Sequence, residues 1–357
     1  MKNPHVSVLM TVYNGEKFLK DAVESILNQT YSNFEFVIVD DNSTDGTFHI
    51  LEQYSKRDKR INLIRNSDRI GFIRSLNKGL SVAQGEYIAR MDADDVSLPN
   101  RLELQLKFLE DHPEIGLCGT WIKVITEKRG HYFIKNPTSP FLIRWRLLFN
   151  DCIVHPSVMI HKKLLDQEGG YATEALYAED YDLWIRLNKK TLFSNISDIL
   201  YLYRIHGENI SLKKDMEQEQ KSIAVSKKAI SGFLGKNVPL SSIEKLRRAT
   251  RFEILEKTDL QSVINIIEDL YQVFIENNIL NQHEKKEVAE DVANNLITIG
   301  FKHVKIWPFD AIQIMYKAIR LDKRILIKYF TNKLKVKINK KYKYNISCGL
   351  VEAMSSQ

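Results

Sequence analysis

The sequence predicts an α/β protein whose first hundred residues form a doubly wound sheet flanked by helices. Apolar runs typical of strands alternate there with segments whose apolar residues recur every three or four positions, as in amphipathic helices. The expected strands are 6–13, 35–40, 61–65 and 87–91, and the expected helices between them are 17–28, 45–56 and 73–83. Strands that alternate with helices indicate βαβ units and hence a parallel sheet.

The next part of the chain is expected to complete a mixed, Rossmann-like sheet. Pro99 is placed to open a helix that runs to Leu109, because proline is tolerated at a first helical position, and His112-Pro113 marks its end. Residues 115–125, 157–160 and 199–202 then have the pattern of strands.

From about Leu212 the pattern changes to amphipathic helices, which indicates a separate helical region. Its clearest apolar stripe consists of Leu260, Val263, Ile264, Ile267, Leu270, Tyr271 and Phe274. Pro239, Gly300 and the pair Trp307-Pro308 are expected to divide the region into several helices. We therefore predict an α/β domain over residues 1–211, a helical region over 212–344 and a disordered tail over 345–357.

The composition is that of a globular protein that folds without disulfides or a structural metal. The chain has 357 residues, of which 44% are hydrophobic. Cys118, Cys152 and Cys348 are odd in number and far apart, so neither a disulfide framework nor a zinc site is predicted, and a reducing cytosol is the simplest compartment. The apolar stretch 6–13 is too short for a signal peptide, and no apolar run is long enough to span a membrane.

The net charge of +7 is distributed unevenly, because basic residues crowd between Arg320 and Lys343. This pattern indicates an anionic partner. We find no helix-turn-helix, RNP-like motif or zinc finger, so nucleic acid is not expected. An anionic membrane surface or a phosphorylated lipid fits better. The alternative is a solvated basic tail that contacts nothing.

Three groups of carboxylates are predicted to lie where ligands bind in open α/β sheets, at the carboxyl ends of strands or at a helix start. They are Asp40-Asp41, Asp92 with Asp94 and Asp95, and Glu179-Asp180. Thr44 or Asp45 can cap the helix that follows the first group, but capping leaves Asp40 unexplained. A carboxylate at a strand end can instead accept a hydrogen bond from a nucleobase imide or a ribose hydroxyl.

Asp92 and Asp94 flank one residue at the tip of a strand, a spacing that suits a hard divalent cation. Mg²⁺ and Mn²⁺ take oxygen ligands and usually combine one or two carboxylates with substrate phosphates. An Asp-x-Asp pattern is common by chance, so its weight comes from its position at a sheet edge. The sequence thus predicts a site for Mn²⁺ or Mg²⁺ and a diphosphate.

Three segments resemble the motifs of family 2 glycosyltransferases, in the same order and spacing over about residues 5 to 210. They are Val8-Leu9-Met10-Thr11-Val12-Tyr13-Asn14, Val39-Asp40-Asp41-Asn42-Ser43-Thr44-Asp45-Gly46-Thr47 and Gly85-Glu86-Tyr87-Ile88-Ala89-Arg90-Met91-Asp92-Ala93-Asp94-Asp95. Each motif alone is weak, but together they are highly specific. The resemblance implies a GT-A fold and an inverting transfer of sugar from a nucleotide-sugar, as in enzymes that build bacterial surface polysaccharide.

The resemblance also implies roles on the donor side. Thr11, Tyr13 and Asp40 are expected to contact the base and the ribose, with Tyr13 able to stack on the base. Asp94 is the expected metal ligand, and Asp92 is expected to contact the ribose and the metal. The family often has an upstream arginine that contacts the nucleotide. Arg69 and Arg74 both fall in that neighbourhood, and the sequence does not choose between them.

Residues 177–184 resemble the Glu-Asp motif of the family at a helix start, which makes Asp180 the expected general base, with Glu179 beside it. The alternative is that acidic residues simply favour helix N-termini. His206 is expected to complete the metal site or contact a phosphate, with Arg204 nearby. His155 is a weaker candidate for the same phosphates.

The predicted function is that of a metal-dependent hexosyl- or hexosaminyltransferase. The donor is expected to be a UDP-sugar, although GDP and dTDP sugars are also used in the resembled family. The acceptor is a hydroxyl of a glycan or lipid-linked glycan, reached by a cytoplasmic enzyme with peripheral contact at the inner face of the membrane. The helical region is expected to associate with that membrane or with the acceptor.

Two other functions fit the sequence less well. A nucleotidyltransferase of related topology needs a glycine-rich loop after the first strand, but residues 11–16 contain one glycine, Gly15. A catalytically silent carbohydrate-binding protein would be expected to have lost Asp94 or Asp180, and both are present.

Overall fold

The computed structural model describes residues 4–126, 130–207, 214–251 and 253–340. Within these ranges the chain forms two compact units. The first contains the chain up to Pro140 and Asp151–Gln218, and the second contains Phe141–Asn150 and the chain from Glu219 onward. The domain boundary expected after residue 211 stays a prediction. The expected disordered tail lies outside the described residues.

One mixed sheet organises the first unit. In the described ranges its strands are β1 Val6–Val12, β2 Phe34–Asp40, β3 Ile61–Arg65, β4 Tyr87–Asp92, β5 Val96–Ser97, β6 Ile115–Thr126, β7 Gly130–Ile134, β8 Met159–His161 and β9 Leu192–Ile205. Their order is β3-β2-β1-β4-β8-β6-β9-β5, with β7 paired to β6. The pairs among β1 to β4 are parallel, whereas β8 runs antiparallel to both of its neighbours. The expected mixed sheet is thus confirmed.

Helices connect these strands and cover the sheet. They are α1 Glu16–Leu27, α2 Thr47–Arg57, α3 Phe72–Val82, α4 Arg101–Asp111, α6 Lys162–Glu168 and α7 Glu179–Leu187. The intervening helix, α5 Pro140–Arg146, belongs to the second unit except for Pro140. The first three lie within two residues of the positions expected from their apolar spacing. The fourth begins two residues after Pro99 and continues two residues past Leu109.

The core of the first unit forms because β1 is covered on both faces. All seven of its residues are buried, as expected for a central strand of a parallel sheet. On one face Gly79 of α3 allows the helix to approach closely, since a Cβ there would lie 2.3 Å from Leu9 Cδ1. This dense packing fixes the position of the strand ends that follow.

The register of the parallel strands aligns their carboxyl ends. Thr11 of β1 lies opposite Asp92 of β4, and Val12 lies opposite Asp40 of β2. Arg65, the last residue of β3, lies opposite Asp40 on the other side. Four strands therefore end along one edge, and the polar residues that follow them meet there.

The long outer strands depart most from expectation. β9 extends over 14 residues, although the sequence marked only residues 199–202 as strand-like. Its parallel pairing with β6 is interrupted by register shifts between Thr120 and Trp121 and between Trp121 and Ile122. Such irregularities break the simple alternation of buried and exposed residues on which a prediction depends.

Six helices of the second unit are described: α8 Asp215–Leu234, α9 Leu240–Thr250, α10 Lys257–Asn277, α11 Gln282–His303, α12 Pro308–Leu321 and α13 Ile325–Lys340. The predicted stripe of α10 is buried, apart from Tyr271, which is half-buried. Pro239 and Trp307-Pro308 do separate helices, since Pro239 precedes α9 and Pro308 begins α12.

The expected break at Gly300 is wrong. Gly300 lies inside α11 and is buried. A Cβ there would lie 2.5 Å from Met315 Cγ of α12, so the glycine serves close packing of two helices and not a chain break.

Two further observations concern the whole described chain. Each of its helices is either too short or too polar to serve as a membrane span. The side chains of Cys118 and Cys152 are buried, and Cys348 lies outside the described residues.

Candidate active site

A buried carboxylate lies at the end of β2, where a nucleotide is expected. Both oxygens of Asp40 lie close to the backbone N–H of Ser43, at 3.3 and 3.4 Å, and Arg65 Nε lies 3.5 Å from Oδ2. The Thr11 hydroxyl is also buried, and it has no hydrogen-bond partner among the described residues. A buried polar atom without a partner is unfavourable, so this strand end is suited to a polar ligand.

Tyr13 and Arg69 form a stacked pair beside this carboxylate. Tyr13 is 37% exposed, and the Arg69 guanidinium carbon lies 3.8 Å from the centre of its ring. Arg74, the other candidate, is exposed on α3. The structure therefore brings Arg69 onto the ring that was expected to stack on the base.

The predicted acidic cluster forms at the end of β4. One carboxylate oxygen from each of Asp92, Asp94 and Asp95 lies within 4.8 Å of the others. Burial and the Asp92 charge raise the pKa of Asp94. Burial, followed by the charges of Asp94 and Asp92, raises the pKa of Asp95 well above its ordinary range. Three hard oxygen donors that repel one another fit a divalent cation, which would relieve this repulsion.

His206 and Arg204 reach the cluster from the end of β9. His206 Nε2 lies 2.9 Å from Asp94 Oδ2, and the backbone N–H of Arg204 donates to Asp95 Oδ1 over 2.7 Å. The Arg204 guanidinium donates to Asp21 of α1 over 2.6 Å. The His206 side chain thus lies at the acidic cluster. Arg204 contacts the cluster through its backbone N–H, and its guanidinium pairs with Asp21 of α1.

Arg90 is a functional candidate that the sequence analysis missed. Its guanidinium is fully buried in β4, donates to Asp92 Oδ1 over 2.6 Å and also bonds to the carbonyl of Met91. The available signal was a charged residue inside an otherwise apolar strand, because such a residue is rarely buried unless it is paired.

Glu179 and Asp180 begin α7 and form a second acidic group. Burial is the main cause that raises the pKa of Asp180 to about 6, and the Asp92 charge contributes while Arg90 opposes it. Burial and the Asp180 charge raise the pKa of Glu179 to about 7. Asp151 is a further acid nearby, whose pKa is raised by desolvation and then by Asp180. With these pKa values, Asp180 and Glu179 can exchange protons near neutral pH.

The backbone before this second group is strained. Tyr177 has a φ of 75°, a left-handed conformation that is unfavourable for a bulky residue. Glu179 Oε2 is buried and has no hydrogen-bond partner in the described part of the chain. Strain and an unpaired polar atom at one place are typical of a functional site.

His155 lies in a buried, largely aromatic environment. Its Nε2 lies 2.7 Å from the Tyr171 hydroxyl, and its ring packs against Phe72, Tyr171 and Trp184. Burial, together with the Arg90 charge, lowers the pKa of His155 well below its ordinary value, which keeps the imidazole neutral. Its expected phosphate contact stays a prediction.

Known proteins share both the sequence pattern and the fold. The model of glycosyl transferase family 2 matches residues 7–167. An uncharacterized glycosyltransferase of Haemophilus influenzae is 34% identical over 243 residues, which are 65% of this chain and 75% of that protein. The Bacillus subtilis protein described as a putative teichuronic acid biosynthesis glycosyltransferase, TuaG, is 43% identical over 216 residues, 59% of this chain and 83% of its own.

Two solved structures have the same fold at low sequence identity. S. aureus TarS 1–349 in complex with UDP-GlcNAc is 19% identical, with a TM-score of 0.54 over 92% of this chain and 92% of that one. The mannosyltransferase PcManGT of Pyrobaculum calidifontis, in complex with GDP-Man and Mn²⁺, is 17% identical, with a TM-score of 0.53 over 91% and 88%. Together, the sequence matches and the structural similarities establish that the chain is a glycosyltransferase of GT-A fold and belongs to glycosyl transferase family 2.

Proposed function

We propose that this protein moves a hexosyl or hexosaminyl residue from a UDP-sugar to a hydroxyl of a glycan or lipid-linked acceptor, with inversion at the anomeric carbon, in surface polysaccharide synthesis. The observation that carries the proposal is that the carboxylates of Asp92, Asp94 and Asp95 converge at the sheet edge that also carries Asp40. The helix that begins with Glu179 and Asp180 is linked to this edge by ring contacts from Trp184 to His155 and from His155 to Phe72, over which the Arg90 guanidinium lies.

The donor side is proposed to hold the nucleotide through Thr11, Tyr13, Asp40 and Arg69. The buried oxygens of Asp40 can accept from a base imide or ribose hydroxyl, and the exposed face of Tyr13 can stack on the base. UDP is preferred because TarS was solved with UDP-GlcNAc, while the GDP-Man bound by PcManGT is the alternative. Titration calorimetry with both nucleotide sugars distinguishes the two donors.

A divalent cation, Mn²⁺ or Mg²⁺, is proposed to bind Asp94, with Asp92 and His206 completing its protein ligands. The oxygen-rich cluster supports this assignment, as does the Mn²⁺ bound by PcManGT. When bound, the cation neutralises the charge that develops on the departing diphosphate. Asp94, Asp92 and His206 would hold and orient this cation, and the phosphates would be positioned only through it.

Replacement of Asp94 by alanine is expected to weaken binding of a UDP-sugar by at least about tenfold in the presence of Mn²⁺, because one ligand of the cation is lost. Calorimetric titration measures the dissociation constant, and Asp180→Asn is the matched control that retains donor affinity. If neither Asp94→Ala nor a chelator changes the affinity, the proposed role of the cation is wrong.

Asp180 is proposed to be the general base. Its carboxylate takes the proton of the acceptor hydroxyl while that oxygen forms a bond to the anomeric carbon, and the bond from that carbon to the diphosphate oxygen breaks. Attack opposite the leaving group inverts the configuration. Glu179 lies beside Asp180, and burial followed by the Asp180 charge raises the pKa of Glu179 to about 7.

The pH dependence of kcat/KM follows from this assignment. Only the ionised carboxylate accepts a proton, so activity is expected to be low below about pH 6, to rise through the pKa of Asp180 and to level off above it. Asp180→Asn is expected to reduce kcat by at least about 100-fold with little change in donor affinity. Glu179→Gln should lower kcat less. An Asp180→Asn variant with wild-type kcat would contradict the assignment.

The acceptor is proposed to lie at an anionic membrane, which the second unit contacts through one face of α12. Phe309, Ile312 and Tyr316 share this face at spacings of three and four residues and are 82%, 57% and 63% exposed. The opposite face of the helix buries Ala311, Ile314 and Ala318. The exposed apolar stripe is therefore not needed for the packing of the helix.

The charged residues in the sequence around α12 support binding to an anionic lipid surface. Between residues 302 and 340 the acidic residues are Asp310 and Asp322, and each pairs with a lysine, Lys257 and Lys328 respectively. The basic residues of the same segment are Lys302, Lys305, Lys317, Arg320, Lys323, Arg324, Lys328, Lys333, Lys335, Lys337 and Lys340. Aromatic and aliphatic side chains flanked by lysine and arginine are typical of helices that lie at a membrane interface.

Replacing Phe309, Ile312 and Tyr316 together with serine is expected to reduce cosedimentation with anionic liposomes, because three interfacial anchors are lost. The control is Ile279→Ser, which removes an apolar side chain that is 99% exposed elsewhere in the second unit. Cosedimentation of the wild-type protein should also decrease when salt is added and when neutral lipids replace the anionic ones. If the triple variant sediments like the wild type, this face does not bind membrane.

A further inference from the structure

The end of β4 is held by side chains as well as by neighbouring strands. One residue beyond its three paired positions with β8, Arg90 donates its backbone N–H to the carbonyl of Val158 over 3.0 Å. In a regular antiparallel pair Val158 would donate in return. Its N–H instead donates to the carbonyl of His155 over 3.4 Å, within the turn that precedes β8. The carbonyl of Arg90 therefore takes a different donor.

That donor is Arg101, the first residue of α4. Its Nη2 donates to the carbonyl of Arg90 over 2.7 Å and to the carbonyl of Val158 over 3.2 Å. Its Nε donates to Oε1 of Gln105 over 2.9 Å, and Gln105 donates in turn to the carbonyl of Cys118 in β6 over 2.9 Å. The guanidinium thus completes the ladder at the point where β8 turns away.

The same guanidinium also contacts the residues that lead into the acidic cluster. Its Nη1 lies 3.9 Å from Sδ of Met91, and its central carbon lies 5.1 Å from the centre of the Tyr201 ring. The Tyr201 hydroxyl accepts from the backbone N–H of Asp92 over 3.2 Å. The last three residues of β4 are therefore held by Arg101 or by the ring on which it packs.

The choice of an arginine here has a physical reason. Arg101 is fully buried, and burial lowers its pKa to about 10, so it is still protonated at neutral pH. The partners described above are all formally neutral, and a buried cation without a counter-charge is unfavourable. A planar guanidinium can bond two carbonyls and an amide while its face lies on a ring, whereas the single ammonium group of lysine cannot.

We propose that Arg101 is a positioning residue for the divalent cation. Through the carbonyl of Arg90 and the ring of Tyr201 it fixes the end of β4, so that Asp92 and Asp94 present their oxygens at the spacing that the ion requires. The inference rests on the proposed function, because it takes these acids to be ligands of Mn²⁺ or Mg²⁺. Arg101 acts through the strand and does not touch the ion.

Two variants of Arg101 test this role through the dissociation constant of Mn²⁺, measured by electron paramagnetic resonance on the full chain with an excess of UDP. Arg101→Lys keeps the charge and loses the fork, and Arg101→Met loses both. Positioning predicts that each variant weakens Mn²⁺ binding by about tenfold or more. A role through charge alone predicts that lysine has no effect and that methionine strengthens binding, because a cation near the ion is removed.

Tyr201→Phe tests the second half of the connection, because it keeps the ring and removes the hydroxyl that bonds to Asp92. It is expected to weaken Mn²⁺ binding by about fivefold, the effect of one lost hydrogen bond. Combined with Arg101→Lys, it should add less than its separate effect, since both changes release the same strand end. If the Arg101 variants do not fold, as judged by circular dichroism, an unchanged Mn²⁺ affinity in Tyr201→Phe overturns the proposal.

Arg186→Lys is the matched control. The Arg186 guanidinium also donates to two backbone carbonyls, those of Glu168 and Gly170, over 3.0 and 2.8 Å. Its replacement should lower the melting temperature, as replacement of Arg101 does, because a side chain that joins two chain segments is lost in each case. It should leave the Mn²⁺ affinity unchanged.

The outcomes separate the two proposals. Wild-type protein that binds no Mn²⁺ in the presence of UDP contradicts the proposed cation site itself. Wild-type protein that binds Mn²⁺, with equal affinity in a less stable Arg101→Lys, overturns the positioning role alone. Tighter Mn²⁺ binding by Arg101→Met overturns that role as well.

Discussion

The site depends on one ion pair, that between the buried Arg90 guanidinium and the partly exposed Asp92 carboxylate. Its guanidinium is the fully buried cation that opposes the rise in pKa of both Glu179 and Asp180 while it bonds to the Asp92 carboxylate. Without that positive charge, the acids of β4 and α7 would repel one another at close range. The Arg90 charge therefore offsets repulsion between the carboxylates of β4 and those of α7.

The sheet brings these groups together through register and not through sequence proximity. Thr11, Asp40 and Asp92 belong to three strands that end on the same edge, and β9 returns His206 to that edge from more than a hundred residues further along. Dense packing of β1 under α3 makes the edge rigid. A preorganised edge can hold phosphates and a cation without paying for rearrangement during the reaction.

Much of the fold and of the site was predictable because the signals were local. The first four strands and three helices follow directly from apolar spacing, and the acids at Asp40 and Asp92 follow from strand ends. The remaining features depend on contacts between distant segments. The length of β9 depends on pairing with β6, the burial of Gly300 depends on Met315, and the bond from Arg101 to Val158 joins residues 57 positions apart. No short segment of the sequence contains both partners of any of these contacts.

The central claim is that the acids at the end of β4 bind a divalent cation together with the nucleotide. Electron paramagnetic resonance of Mn²⁺ tests it directly, because the sharp spectrum of the free ion broadens when the ion is bound. We expect the free signal to fall by one equivalent per chain in the presence of UDP, to fall equally with Asp180→Asn, and to persist with Asp94→Ala. A free Mn²⁺ signal that is unchanged by wild-type protein and UDP would contradict the account.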